Sequence, residues 1–147
     1  MNESLPDRIR KLLSGEEPPP PIARLLGLEL AEAGNGEAVF RMDVSSSVHG
    51  NPMGTVHGGI FCDLADAAMG IAYASELAAN ESFTTLELKV NYLRPVWDAR
   101  LTARARVVSR GKTIGLVECD VTDDAGRLIA RAHSTCLTLR DEQAAGR

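Results

Sequence analysis

Residues 57 to 74 read His57-Gly58-Gly59-Ile60-Phe61-Cys62-Asp63-Leu64-Ala65-Asp66-Ala67-Ala68-Met69-Gly70-Ile71-Ala72-Tyr73-Ala74. From Ile60 to Ala74 every side chain is apolar or absent, except Asp63, Asp66 and the hydroxyl of Tyr73. At a helical period, Ile60, Leu64, Ala67, Ile71 and Ala74 share one stripe, and Phe61, Ala65, Ala68, Met69 and Ala72 cover the opposite side. A helix that is apolar all round is buried all round. In a chain of 147 residues that demands a sheet that wraps it, a second subunit, or both. The helix is expected from Gly58 to about Ala79.

Outward from this helix the pattern changes. Before it, Glu37 to Val44 alternates as a strand, with Val39 out of step, and His49 to Gly54 is a loop rich in Gly, Asn and Pro. After Asn80-Glu81-Ser82 the chain turns β: Leu86, Leu88, Val90 and Tyr92 alternate with polar residues, as do Leu101, Ala103, Ala105 and Val107. Arg110-Gly111-Lys112 and Asp123-Asp124-Ala125-Gly126 are turns that bound two further strands, Thr113 to Thr122 and Leu128 to Leu139, so the last three strands form an antiparallel meander. The order is strand, long helix, four strands, an α+β layer architecture. Ile22 to Leu30 reads as a short helix. Residues 1–21 read as an arm or linker, with a short amphipathic helix from Leu5 to Leu13 and an extended Pro18-Pro19-Pro20-Pro21 run. Residues 22–140 form the domain, and 141–147 a frayed tail.

Composition limits the function classes. A net charge of -4 gives no basic footprint for nucleic acid. Cys62, Cys119 and Cys136 lie far apart and are odd in number, which speaks against a disulfide framework, a zinc site or a redox pair and for free thiols in a reducing cytoplasm. No apolar stretch is long enough for a membrane span, and Met1-Asn2-Glu3 does not open a secretory leader. No metal is expected.

The carboxylates carry the functional signal. Asp63 lies near the helix start, where the dipole favours a negative charge. Asp66 lies deeper, where a carboxylate is costly unless paired, and is the candidate general base or nucleophile. Gly58-Gly59 permits close approach of a ligand, and the first helical N–H groups have no partners within the helix, which suits a developing oxyanion. His57 is either a structural residue or a substrate contact. Asn51 is either a turn residue or an amide that polarises a carbonyl or holds water. Gly58 and Asp66 are eight residues apart, about 12 Å along a helix, too far for one helix to present both to one reacting group. Two antiparallel helices, side by side, bring Gly58 of one near Asp66 of the other, which predicts a homodimer with composite sites.

The run from Asn51 to Gly59, with Asp63-Leu64-Ala65-Asp66 after it, resembles the hotdog-fold acyl-CoA thioesterases of the phenylacetate-degradation (PaaI-like, 4HBT) type. Thr85 to Pro95, Gly111-Lys112-Thr113 and Asp124 to Ala130 agree in order and spacing, so the resemblance covers roughly Ala38 to Leu139. It implies a hotdog fold, an antiparallel sheet curled round one long central helix, in a dimer and often in two dimers forming a tetramer. By position it makes Asp66 the catalytic acid, the Gly58 N–H the carbonyl-polarising donor, and Asn51 the residue that positions water or carbonyl. Thr85 stands where the family places a Ser or Thr that holds the attacking water. The implied reaction is hydrolysis of acyl- or aryl-CoA to free acid and CoA, with no cofactor beyond the CoA of the substrate. Substrate contacts are expected from His57 and Gly59, and either CoA-phosphate contacts or a solvated turn from Arg110 and Lys112. The rival readings are a hotdog enoyl-CoA hydratase or dehydratase, and a non-catalytic acyl-CoA-binding sensor.

Overall fold

Six antiparallel strands curl around one helix in a computed structural model that describes residues 3–145. Met1-Asn2 and the last two residues of the expected frayed tail lie outside the described residues. In chain order the elements are α1 (Leu5–Ser14), α2 (Pro21–Leu26), β1 (Glu29–Gly34), β2 (Glu37–Ser45), α3 (Ser46–His49), α4 (Gly58–Ala74), β3 (Glu81–Tyr92), β4 (Asp98–Arg110), β5 (Ile114–Thr122) and β6 (Leu128–Arg140), followed by a 3-10 turn at Asp141–Gln143. The sheet runs β1-β2-β4-β5-β6-β3, so β4, β5 and β6 form the expected meander and β3 crosses over to its far edge.

The inner face of the sheet is built to admit a helix. Phe40 pairs with Ala103 and Met42 with Leu101 between β2 and β4. Ala105 pairs with Cys119 between β4 and β5, and Val121 with Ala130 between β5 and β6. All eight side chains are buried, and the alanines among them let the α4 backbone approach closely. Leu64, Ala65, Ala68, Met69, Ala72 and Tyr73 of α4 are fully buried against this face. Tyr73 is the largest of them, and its hydroxyl lies 2.7 Å from Thr138 Oγ1, so the polar atom inside the core has a partner. The outer face carries charge pairs across strands, including Arg131–Asp120 and Arg100 with both Asp43 and Glu29.

Four sequence expectations change. First, the helix ends at Ala74, short of Ala79: the Ser75 hydroxyl donates to the Ala72 carbonyl (2.7 Å) and accepts the Gly36 N–H (2.9 Å), tying the chain to the β1–β2 turn. Second, the segment expected as a helix from Ile22 to Leu30 stops at Leu26, because Gly27 takes a left-handed φ of 73°. Third, the residues after it form β1, a sixth strand, whose bulge between Leu30 and Glu32 hides the alternation. Fourth, α4 is not covered on every side: Asp63 and Asp66 are exposed, and Gly59, Cys62 and Gly70 beside them are half-buried. The chain's own sheet leaves this one stripe open.

The N-terminal segment does not hang free. Ile9 of α1 and Ala23 of α2 are buried in the same core as α4, and α1 packs against β1. Ser4 caps α1 by accepting the Asp7 N–H, and Pro20-Pro21 starts α2.

Candidate active site

The loop before α4 is held by its own backbone and by one amide. Gly50 bridges to Val56, the Val56 N–H donates to Val96 O (2.8 Å), and the His57 N–H donates to His49 O (2.8 Å). Asn51 Oδ1 accepts the N–H groups of Met53 (2.9 Å) and Thr55 (3.2 Å), and its Nδ2 donates to Thr55 Oγ1 (2.9 Å). Asn51 thus staples the loop, which is the turn-residue reading, and keeps one N–H of its amide uncommitted.

At the helix start His57 is the N-cap. Its Nδ1 accepts the Gly59 N–H at 2.9 Å, so this imidazole serves a structural purpose and the Gly59 donor is occupied. The Gly58 N–H makes no hydrogen bond among the described residues, which leaves it as the donor at this end of the helix. Tyr92, at the end of β3, steadies the same peptide: its hydroxyl donates to the Gly58 carbonyl (3.1 Å), and Cys62 Sγ lies 3.3 Å from the Tyr92 hydroxyl oxygen. The Cys62 contact, and burial after it, push the Tyr92 hydroxyl up to about 12, so it stays a donor at neutral pH. A Cβ on Gly58 would sit 3.0 Å from the Tyr92 ring, so a side chain there requires Tyr92 to give way by a few tenths of an ångström. In the sequence Tyr92 is only one of the alternating residues of a strand; the contact joins residues 34 positions apart, and no local pattern announces it.

More than two turns along α4, Asp66 receives a hydrogen bond from Thr85 Oγ1 at 3.3 Å. Thr85 stands at a bulge in β3: it pairs with Cys136 of β6, Glu87 pairs with Thr135, and Leu86 is the extra residue, pushed outward and exposed. This bulge re-aims the strand where it faces Asp66. The pKa of Asp66 is raised above the ordinary carboxylate value, first by its apolar surroundings; the Thr85 hydrogen bond opposes this, and the nearby Asp63 charge adds to it. Asp63 itself is exposed and makes no side-chain hydrogen bond among the described residues.

Beside Asp66 and Thr85 lies a cavity of about 590 Å³, walled by α4, by Phe40 and Phe83 of the sheet, and by α1 and α2. The sequence signal for it is Gly70, a glycine in a helix interior, which costs about 1 kcal/mol relative to alanine unless something needs the space. A second hollow, of about 540 Å³, lies on the outer face around Glu32, Arg104, Arg106 and Glu118 and holds none of the candidate residues.

Arg110 and Lys112 are not part of this constellation, and neither lines the cavity. The Arg110 guanidinium donates to the Glu76 carbonyl and to Glu81 (each 2.5 Å) and lies over the Tyr73 ring. Lys112 is exposed on the hairpin turn. Among the described residues no group of three His, Cys, Asp or Glu is placed to hold a metal, and no helix is long and apolar enough to cross a membrane.

The geometry brings together one carboxylate, one hydroxyl and, about 12 Å along the same helix, one free backbone donor. Comparison with known proteins gives this arrangement a family. Residues 53–130 match the thioesterase superfamily. The 1,4-dihydroxy-2-naphthoyl-CoA hydrolase of Listeria monocytogenes is 30% identical over 75% of this chain and 89% of its own length. Human acyl-coenzyme A thioesterase 13 is 28% identical over 92% of this chain and 94% of its own. Among solved structures, a variant of the phenylacetic acid degradation protein PaaI of Thermus thermophilus superposes with a TM-score of 0.74 at 29% identity, over 80% of this chain and 98% of that one. The match spans α4 and the strands that follow it, the resemblance read from the motifs holds, and the chain belongs to the thioesterase superfamily.

Proposed function

We propose that the protein hydrolyses acyl-CoA thioesters to a free acid and CoA, at two composite sites in a homodimer. One observation carries this reading: the Asp66–Thr85 pair lies on the single stripe of α4 that the chain's own sheet leaves open, and the free Gly58 N–H lies two turns away on the same helix. A second copy packed antiparallel on that stripe brings its Gly58 N–H to the Asp66 of the first. The edge strand β3 supports the pairing, because it exposes Leu86 and Tyr92 and has no strand partner on its outer side among the described residues. The names of the Listeria and human relatives support the substrate class.

In the proposed reaction the thioester carbonyl oxygen accepts the Gly58 N–H of one protomer. Water held by Asp66 and Thr85 of the other attacks the carbonyl carbon, and Asp66 takes its proton. The tetrahedral oxyanion is stabilised by the Gly58 N–H and the positive end of α4. Its collapse breaks the C–S bond, and CoA leaves as the thiolate, which takes up the proton. A raised pKa on Asp66 suits a group that must accept a proton and hand it on. The hydratase reading asks for a catalytic histidine, whereas His57 is engaged as a cap.

The test is Asp66→Asn, assayed by thiol release from acyl-CoA. Turnover is expected to fall by about 10³-fold or more with the thermal transition unchanged. Near-normal turnover removes Asp66 from the reaction.

A further inference from the structure

We propose that the cavity beside Asp66 receives the acyl chain, and that the N-terminal helices α1 and α2 gauge its length, selecting a straight aliphatic group of about ten carbons. This rests on hydrolysis at Asp66 as read above and adds the substrate class to it.

Position is the first argument. Asp66 and Thr85 belong to the wall of this cavity. An acyl chain whose carbonyl carbon sits at Asp66 has the cavity directly beyond it.

The lining is the second. Leu5, Ile9 and Leu12 of α1 and Ile22 of α2 line it together with Ile71 of α4 and Phe83 of β3. Two charged residues besides Asp66 reach the lining: Arg8, 3.7 Å from Glu17, and Glu29, 2.6 Å from Arg100. Apart from these and Thr85 the lining is apolar, so the complementary chain is neutral and apolar.

Length is the third. Asp66, Gly70 and Ala74 of α4 all line the cavity, and eight residues of helix span about 12 Å. A carbon chain advances about 1.25 Å per bond for bonds of about 1.5 Å at tetrahedral angles, so the span takes about ten carbons. A single aryl ring leaves most of it empty. At mid-cavity Gly70 lets the Phe83 ring lie against the helix: a Cβ there would be 3.3 Å from Phe83 Cζ.

The arm is a wall with a fixed place. Ile9, Ala23 and Leu28 are anchored in the core, and Pro18–Pro20 join the two helices, Pro21 being already the first residue of α2 rather than part of the expected extended run. All of this lies before residue 53, where the family match begins, so it is the part of the site this chain does not share through that match.

The experiment measures thiol release by the full-length protein on acetyl-, butanoyl-, hexanoyl-, octanoyl-, decanoyl-, dodecanoyl- and palmitoyl-CoA, and on benzoyl-CoA. The expected kcat/KM rises by up to about fourfold per methylene, peaks near decanoyl, and stays low for benzoyl. Gly70→Val crowds Phe83, narrows the middle of the channel and lowers the decanoyl-to-butanoyl ratio by about tenfold or more. Leu12→Ser, on the half-buried side of α1, lowers the same ratio through KM and gives a reading even where Gly70→Val does not fold. A ratio that neither variant moves, or a wild-type profile that is flat or best with acetyl or benzoyl, overturns the proposal while hydrolysis stands. No turnover of any acyl-CoA overturns the hydrolysis reading, and this proposal with it.

Discussion

Replacing Thr85 with valine keeps the shape of the side chain and removes the hydroxyl that donates to Asp66. That hydrogen bond favours the carboxylate, while the apolar surroundings favour the acid. Its loss therefore raises the Asp66 pKa further. A hydrogen bond to a charged group contributes about 1.5–3 kcal/mol. At 3.3 Å, on a residue whose outer side meets water, about half of that is a fair measure, and about 0.75–1.5 kcal/mol corresponds to about half to one pH unit. The proposed base must be ionised, so activity is lost as pH falls through its pKa, and a higher pKa moves that loss to higher pH. The assay is the pH profile of kcat/KM, whose acid limb reports the base in the free enzyme. Wild type and Thr85→Ser are expected to share one limb, with Thr85→Val displaced upward. A Thr85→Val limb that coincides with wild type, or moves down, refutes the claim that this hydroxyl tunes a catalytic carboxylate, whatever happens to the absolute rate.

The remaining predictions concern the other half of the site and the core. Gly58→Pro removes the proposed oxyanion donor at the first helical position, where proline fits the backbone after the extended His57 (φ -64°, ψ 137°); Gly58→Ala, which crowds Tyr92 in the same way but keeps the N–H, is its control. Turnover is expected to drop about 10²–10³-fold with helix content unchanged by circular dichroism. Mixing Gly58→Pro subunits with Asp66→Asn subunits tests the composite site. Random pairing leaves about a quarter of the sites intact, so activity should return to about that fraction, and failure to recover any would place both groups in one chain's site. In the core, a Cβ on the buried Gly115 would fall on the Tyr73 ring, whose hydroxyl lies 2.7 Å from Thr138 Oγ1. Gly115→Ala is expected to cost about 2–4 kcal/mol from overpacking and the lost hydrogen bond, seen as a Tm lower by about 5–10 °C.

The sequence by itself was enough for the long helix, the meander and the identity of the odd carboxylate. These signals are local or periodic: residues from Ile60 to Ala74 repeat at the helical period, and Leu101 to Val107 at the strand period, before any partner is known. Asp66 stood out because it interrupts an apolar surface, and the distance along one helix to Gly58 is what pointed to the proposed second copy. Tertiary structure decided the rest. The β1 strand exists because β2 offers it an edge, and a bulge erases its alternation. Arg110 reads as a free cation on a turn, yet Glu81 and the Glu76 carbonyl, distant in the chain, engage it. Most of all, the arm reads as a spacer because helix α1 shows only an amphipathic stripe, and a stripe does not name what it covers. Only folding sets Leu5, Ile9 and Leu12 opposite Gly70 and Phe83, with Asp66 at their side. A cavity is a relation between surfaces far apart in the chain, and periodicity, which compares each residue only with its near neighbours, carries no information about it.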